Sequence, residues 1–248
     1  MQTVIITGGT KGIGAEIARK FLDAGWQVLI AARNEFGLAK EDHDRLKFQQ
    51  LDVQIESDHQ ALVKTALELF DTLDCYINCV GFSKWSSVGA VDEQFWDDML
   101  NTNLKGTFWG CKVAAEHLSV GGSIINVSSI AGKRGSANNA VYCASKFGVN
   151  GITQSLAKEL GSKGIRVNAV CPVYVETSGL IEALDNPEAP SGEQKTSDYL
   201  TDFTINQTAL KRLPKGTEVA DLCVYLASES ASAITGQCIN VDCGVLPQ

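Results

Sequence analysis

Val4-Ile5-Ile6-Thr7-Gly8-Gly9-Thr10-Lys11-Gly12-Ile13-Gly14, with Ile17, Ala18, Phe21 and Leu22 behind it, is the stretch on which the fold turns. Residues 4–7 are a short β-branched run of the kind that is buried in a parallel sheet. The run breaks into glycines and then into apolar residues at helical spacing, so the order is strand, glycine loop, helix. Gly25 is the expected stop of that helix, because a left-handed cap is least costly there, and residues 27–31 read as a second buried strand. The alternation continues: residues 46–51, 75–78, 123–127, 166–171 and 238–241 are further strands, and helical periodicity fills most of the intervals. Such an order implies parallel pairing through right-handed crossovers, hence an α/β fold with a doubly wound parallel sheet, one domain over residues 1–248.

One segment breaks the rhythm. Residues 177–207 turn polar, with Asp185, Asn186, Pro187, Pro190, Ser191 and Gly192 at their centre. The segment follows a strand end, where ligands bind in open parallel sheets, so it is either a solvated insertion or a substrate lid.

Composition narrows the class. Hydrophobic residues make up 44% of the 248 and charged ones 20%, as in ordinary soluble globular chains. A net charge of −8 without any Lys or Arg run argues against a nucleic-acid partner. No apolar stretch approaches the ~18 residues of a membrane span, and no basic-then-apolar leader opens the chain, so a cytoplasmic protein is expected. The eight cysteines lie in apolar surroundings, as at Cys75, Cys79, Cys171 and Cys238, and the three histidines, His43, His59 and His117, stand near none of them. Reduced core thiols are expected, and no metal.

The glycine loop permits a sharp turn and lets the backbone approach a pyrophosphate, whose charge the free amides of a helix N-terminus stabilise. A turn required by chain geometry alone would look similar, but the position between a strand and an amphipathic helix favours the phosphate reading. Gly8, Thr10, Lys11, Gly12, Ile13 and Gly14 are its candidate contacts. In NAD-binding versions of this fold an acidic residue about twenty positions on binds the ribose hydroxyls. Ala32 stands there, Arg33 follows, and Lys11 lies in the loop, so two cations suit a 2′-phosphate and NADP(H) is expected over NAD(H). The alternatives are that both are plain surface cations, or that Glu35 swings to the ribose.

Tyr142 and Lys146 are four residues apart in a helical pattern running through Phe147, Val149, Ile152 and Leu156, so they share a face. A phenol with an ordinary pKa near ~10 is a poor acid or base at neutral pH, but a nearby ammonium together with an oxidised nicotinamide favours the phenolate. Alone, such a pair is ordinary solvated helix surface.

The combination is more specific. The glycine loop, Asn78-Cys79-Val80-Gly81, Asn103, Ser129 and the Tyr142/Lys146 pair stand in the order and spacing of the short-chain dehydrogenase/reductase family, and the resemblance runs from Val4 to Gly244. Within it the chain resembles the single-domain branch typified by 3-oxoacyl-[acyl-carrier-protein] reductase, through Asn126-Val127-Ser128-Ser129, Tyr142-Cys143-Ala144-Ser145-Lys146, Val167-Asn168-Ala169-Val170-Cys171-Pro172 and Thr235-Gly236-Gln237.

The resemblance implies a Rossmann fold and an NADP(H)-dependent reduction of a ketone, a 3-oxoacyl thioester among the candidates, to a secondary alcohol. A sugar or polyol dehydrogenase is the alternative enzyme. A redox-inactive cofactor-binding scaffold is the alternative class, whose signature would be loss of the Tyr or Lys. Tyr142 would protonate the substrate oxygen, Ser129 would hold the same oxygen, and Lys146 would lower the Tyr142 pKa and bind the nicotinamide ribose. Asn103 would hold a proton-relay water, or be an ordinary helix amide. Asp52 and Val53 would contact adenine, Asn78 and Gly81 would line the nucleotide site, and Val175 and Thr177 would orient the nicotinamide amide and phosphates. A homotetramer is implied, with a dimer as second choice.

The chain departs from the family pattern at Cys79-Val80, in place of Asn-Ala, and at Val173, in place of Gly beside the nicotinamide. The turn Ser119-Val120-Gly121-Gly122 carries no cation for an acidic carrier protein, which leaves Lys133, Arg134 and Lys163 for that purpose.

Overall fold

Buried apolar runs become the strands of one parallel sheet: β1 (Thr3–Thr7), β2 (Gln27–Ala32), β3 (Leu46–Gln50), β4 (Cys75–Asn78), β5 (Ser123–Val127), β6 (Arg166–Pro172) and β7 (Cys238–Val241). This is a computed structural model, and it describes residues 1–41 and 43–247. Each strand falls within one residue of its expected range. The helices are α1 (Gly12–Asp23), α2 (Glu56–Phe70), α3 (Glu93–Leu100), α4 (Gly106–His117), α5 (Ala140–Leu160), α6 (Ser178–Leu184), α7 (Thr196–Gln207) and α8 (Gly216–Ala227).

Successive residues of a strand point to opposite faces, and here both faces are covered. Val4 and Ile6 of β1, with Cys75 and Ile77 of β4, enter the core under α1 and α8. Ile5 and Tyr76 enter the other core, which α2, α4 and α5 close. Burial on both sides is why β1 and β2 read as nearly unbroken apolar runs, whereas the edge strands β3 and β7 are partly exposed. Arg166, a charge on an otherwise apolar strand, is explained by its bonds: Nη1 donates to the Leu226 carbonyl at 2.5 Å and Nη2 to that of Ser228 at 3.3 Å, capping the end of α8. Cys75, Cys111, Cys143, Cys171 and Cys223 are buried free thiols. Among the described residues, no helix is long and apolar enough to cross a membrane.

The strand order is β3-β2-β1-β4-β5-β6-β7. It reverses direction between β1 and β4, and the carboxyl ends of the strands part there to form a crevice. Gly25, at φ +87°, ends α1 where expected, and its amide donates to the Leu22 carbonyl at 3.0 Å. The polar segment 177–207 is more regular than its composition implies, since it folds into α6 and α7. Their apolar side chains do not face the sheet. Leu184, Ala189 and Leu200 instead bury Trp85 in a small separate cluster, which is why no sheet-facing periodicity was visible.

Gly14 lies in the first turn of α1, where an added Cβ would collide with the carbonyl oxygen of Gly8. Gly14→Ala is therefore expected to cost about 1–3 kcal/mol, the usual range for overpacking. A thermal melt should show a midpoint several degrees lower, and an unchanged midpoint would mean that the loop yields freely.

Candidate active site

At the end of β1 the chain turns through Gly8 at φ +74° and Gly12 at φ +54°, a region that other residues enter only with strain. Lys11 caps α1 in an extended conformation without a side-chain cap, and no acidic residue occupies the first turn. The amides of that turn thus present an uncompensated positive end. Beside them lies a cavity of about 690 Å³ whose lining includes Thr10, Lys11, Gly12, Ile13, Val175 and Thr177. A nucleotide pyrophosphate fits this donor set.

The flanks are held in place. Leu38 N–H donates to the Thr10 carbonyl at 3.2 Å, drawing the chain after β2 across the loop. Lys11 Nζ sits 5.7 Å from the Phe36 ring centroid. Arg33 is exposed just past β2, and among the described residues neither it nor Lys11 is in an ion pair. Glu35 is exposed in the same loop. After β3, Asp52 Oδ1 accepts from Gln54 N at 3.0 Å, and Val53 is packed where Gly106 lacks a side chain. The Val53 carbonyl can only accept, so His59 Nε2 donates to it at 3.0 Å and Nδ1 accepts from the Tyr76 hydroxyl at 2.7 Å. Burial holds the His59 pKa below its ordinary value.

Asn78 turns its amide away from the crevice. Its Nδ2 donates to Asn126 Oδ1 at 2.9 Å, and Gly110 leaves room for its Oδ1, so it braces β4 on β5. Gly81 does face the site. A Cβ there would lie 3.2 Å from Asn103 Oδ1 and 3.3 Å from Lys146 Nζ. Asn103 occupies a π-helical turn, Asn101–Lys105, that joins α3 to α4. Such turns often mark functional positions. Its side chain binds the loop after β4 and two helices: Phe82 N donates to Oδ1 at 3.0 Å, and Nδ2 lies 2.8 Å from the Phe82 carbonyl, 3.1 Å from Met99 Sδ and 3.3 Å from Ser145 Oγ. Asn103 thereby fixes the loop that carries Gly81.

Ser129 follows β5, with its Oγ accepting from Ala131 N at 3.1 Å and lying 3.4 Å from the Pro172 carbonyl. Tyr142 stands near the start of α5, with the Ser129 hydroxyl acting on its phenol. Burial pushes its phenol up to about 12, against a smaller downward pull from Ser129. Lys146, one turn on, donates from Nζ to the Val127 carbonyl at 2.9 Å, and that nitrogen is 5.8 Å from the Tyr142 ring centroid. Burial also brings Lys146 itself down to about 8. Val175 is buried, and Thr177 caps α6 by accepting from Leu180 N at 3.2 Å. Val173 is half-buried and has no positive φ, so the branched residue stands in for glycine without backbone strain.

A family model described as enoyl-(acyl carrier protein) reductase matches residues 8–246. The 3-oxoacyl-[acyl-carrier-protein] reductase of Staphylococcus epidermidis is 34% identical over 254 residues, covering 98% of each chain. This chain belongs to the short-chain dehydrogenase/reductase family. Among solved structures, a variant of actinorhodin polyketide ketoreductase with NADPH superposes with a TM-score of 0.90 at 32% identity, covering 98% of this chain and 97% of that one. Ligand-free aldohexose dehydrogenase of Thermoplasma acidophilum gives 0.89 at 27% identity, covering 100% and 97%. As a short-chain dehydrogenase/reductase the protein is an oxidoreductase that uses a nicotinamide cofactor.

Several contacts between distant residues carried no local signal. Phe36 reads as a lone exposed aromatic, and only the fold brings it under Lys11. His59 and Tyr76 are seventeen residues apart, and their link to Val53 depends on how α2 packs. Trp85, Tyr174 and Tyr199 come from distant segments and meet in one cluster.

The burial of Lys146 has a measurable consequence. Its pKa of about 8 in the folded chain lies below the ordinary 10.5, so the unfolded chain binds more protons between those values and stability rises with pH there. Tyr142 acts oppositely at higher pH, since its pKa is raised from 10 to about 12. The stability of the nucleotide-free protein relative to Lys146→Met should grow by about 2–3 kcal/mol from pH ~8 to pH ~10. Urea unfolding at several pH values reads this, and a pH-independent difference would contradict it.

Proposed function

We propose that this chain is an NADP(H)-dependent carbonyl reductase that converts a ketone into a secondary alcohol, with Tyr142 as the proton donor. The observation that carries the proposal is the Tyr142 ring one turn before the buried Lys146, its centroid 5.8 Å from the ammonium nitrogen. A phenol and a serine hydroxyl with a cation behind them suit an oxygen that gains negative charge better than a carbon that gains a proton. A bound nicotinamide supplies the hydride. A phenol with its pKa near 12 is protonated at neutral pH, the state needed to give a proton during reduction. Ser129 holds the oxygen in line, Lys146 places positive charge behind the phenol and binds the ribose, and Asn103 keeps Gly81 and Phe82 in position. Asp52 and Val53 form the adenine wall, while Val175 and Thr177 close over the nicotinamide and phosphates.

Preference for NADP(H) rests on Arg33 and Lys11 at the ribose end of the cradle and on the lack of a carboxylate at Ala32. The NADPH held by the ketoreductase neighbour supports it. Residues 177–207 act as the substrate lid. The lid is clasped to the body by Asn186 Nδ2 donating to the Trp85 carbonyl at 3.0 Å, Ser87 N donating to Glu188 Oε2 at 2.9 Å and Asn138 Nδ2 donating to the Glu188 carbonyl at 3.1 Å. A carrier-bound 3-oxoacyl substrate is weakened by the engagement of Lys133, whose Nζ donates to the Cys238 carbonyl at 2.6 Å. A sugar substrate has the aldohexose dehydrogenase neighbour in its favour. Exposed Trp96, Phe108 and Phe147 on α3, α4 and α5 support a homotetramer, with a dimer as the second arrangement.

Tyr142→Phe keeps the ring and removes the donor. Turnover of a ketone with NADPH should fall at least ~100-fold while NADPH binding stays nearly unchanged, and a near-normal rate would refute the mechanism. Fluorescence titration should show NADPH binding at least ~10-fold more tightly than NADH, the worth of one charge-assisted hydrogen bond. Arg33→Asp should reverse that preference, and equal affinities in the unaltered chain would overturn the cofactor assignment.

A further inference from the structure

His59 lies in the second turn of α2 with no exposed surface, on the face that carries the core residues Leu62 and Val63. Burying an imidazole is costly unless both of its nitrogens are paired, and both are. Nε2 donates to the Val53 carbonyl at 3.0 Å, and Nδ1 accepts from the Tyr76 hydroxyl at 2.7 Å. Tyr76 is itself fully buried on β4, so the ring joins the middle of the sheet to the loop between β3 and α2. Because the phenol donates to Nδ1, the imidazole proton stays on Nε2, where the Val53 carbonyl needs it. Burial keeps the ring neutral against the opposing pull of the Val53 carbonyl and of Asp58, Glu56 and Asp52.

The loop that His59 holds has few other ties. Asp52 N donates to Asp58 Oδ2, Gln54 N to Asp52 Oδ1 and Ile55 N to the Asp52 carbonyl, each at 3.0 Å. None of these bonds ends on Val53. Among the described residues no backbone amide outside a helix donates to its carbonyl. On the other side α4 passes so close that a Cβ on Gly106 would lie 2.9 Å from Val53 Cβ and 3.0 Å from its carbonyl oxygen. Val53 is pressed by α4 and tethered by His59.

We infer that His59, with Tyr76 behind it, is a positioning residue for the adenine end of the nucleotide, and that the bond from Nε2 to the Val53 carbonyl preorganises the wall that receives the base. This rests on the reading above that Asp52 and Val53 form that wall. A ring without exposed surface cannot touch the nucleotide, so it acts through Val53. A loop already held in its bound conformation loses less freedom when the ligand arrives, and affinity rises accordingly. An apolar side chain in place of His59 would fill the space but leave the Val53 carbonyl unpaired and free to turn.

The test is calorimetric titration of the full chain with NADPH and with adenosine 2′,5′-bisphosphate, which lacks the nicotinamide half. His59→Leu should weaken both ligands by the same factor, about 5- to 10-fold, the worth of one hydrogen bond. His59→Gln, whose amide nitrogen reaches the place of Nε2, should stay within about twofold of the unaltered chain. Tyr76→Phe keeps the ring and removes the donor to Nδ1; it should weaken both ligands by about 2- to 4-fold, and it carries the test if the Leu variant does not fold. Hydrogen exchange at the amides of residues 52–55 should quicken in nucleotide-free His59→Leu and slow again with NADPH. Unchanged affinities in the Leu and Phe variants, whatever their melting temperatures, would make His59 merely structural and overturn the inference. A loss for NADPH that adenosine 2′,5′-bisphosphate does not share would overturn it too, and either result leaves the adenine wall standing. Failure of bound adenosine 2′,5′-bisphosphate to slow exchange at residues 52–55 of the unaltered chain would overturn the wall and the inference together.

Discussion

The hydrogen bond from Lys146 Nζ to the Val127 carbonyl, 2.9 Å long, ties α5 to the sheet. β5 ends at Val127, so the bond also satisfies a carbonyl at a strand terminus. Neighbouring contacts hold α5 in the same place. Ser128 Oγ lies 3.4 Å from the Lys146 carbonyl, Asn150 Nδ2 donates to the Gly132 carbonyl at 2.9 Å, and Gly132 sits so close to Lys146 that a Cβ would clash with its carbonyl oxygen. With α5 seated over the end of β5, Tyr142, one turn earlier, comes under the influence of the Ser129 hydroxyl. Burying an ammonium with so few partners opposes folding, and the drop of its pKa to about 8 expresses that opposition. A charge kept under such conditions is a mark of a working site.

The nucleotide side depends on backbone conformation rather than on side chains. Gly8 and Gly12 have positive φ, Gly14 makes room for the Gly8 carbonyl, and Gly37, at φ +57°, lies so near the Thr10 carbonyl that any side chain would collide with it. The first three are contiguous in sequence, which is why the strand, loop and helix order was legible from residues 4–22 alone. Gly37 was not, because what it touches is a loop twenty-seven residues earlier. The strands were legible for a related reason: a strand buried on both faces leaves a continuous apolar run.

Legibility failed where a side chain's partner is set by tertiary contact. The side chain of Asn78 is bonded to Asn126 and that of Asn103 to Phe82, partners that spacing along the chain does not show. Both therefore shape the site through other groups. The helices α6 and α7 were missed because their apolar residues serve a four-residue cluster and not the sheet, so no stripe of the usual width forms. The aromatic cluster was missed for the same reason, since Trp85, Tyr174, Tyr199 and Phe203 lie on segments up to 118 residues apart.

The departures from the family pattern fit this division. Val173 replaces glycine at a position that needs no positive φ, and the Val80 side chain would lie 3.2 Å from a Cβ on Gly8, using space that only glycine leaves. Neither change touches Ser129, Tyr142 or Lys146. Geometry enforced by backbone and by the buried lysine tolerates little variation, because each glycine and the ammonium has a specific neighbour it must meet. The aromatic cluster is different: it is small, partly exposed and joined to the body by a few loop hydrogen bonds, so its side chains change without disturbing either core. The glycine loop with the buried lysine and the aromatic cluster thus have separate stabilising contacts, and one can vary while the other is held constant.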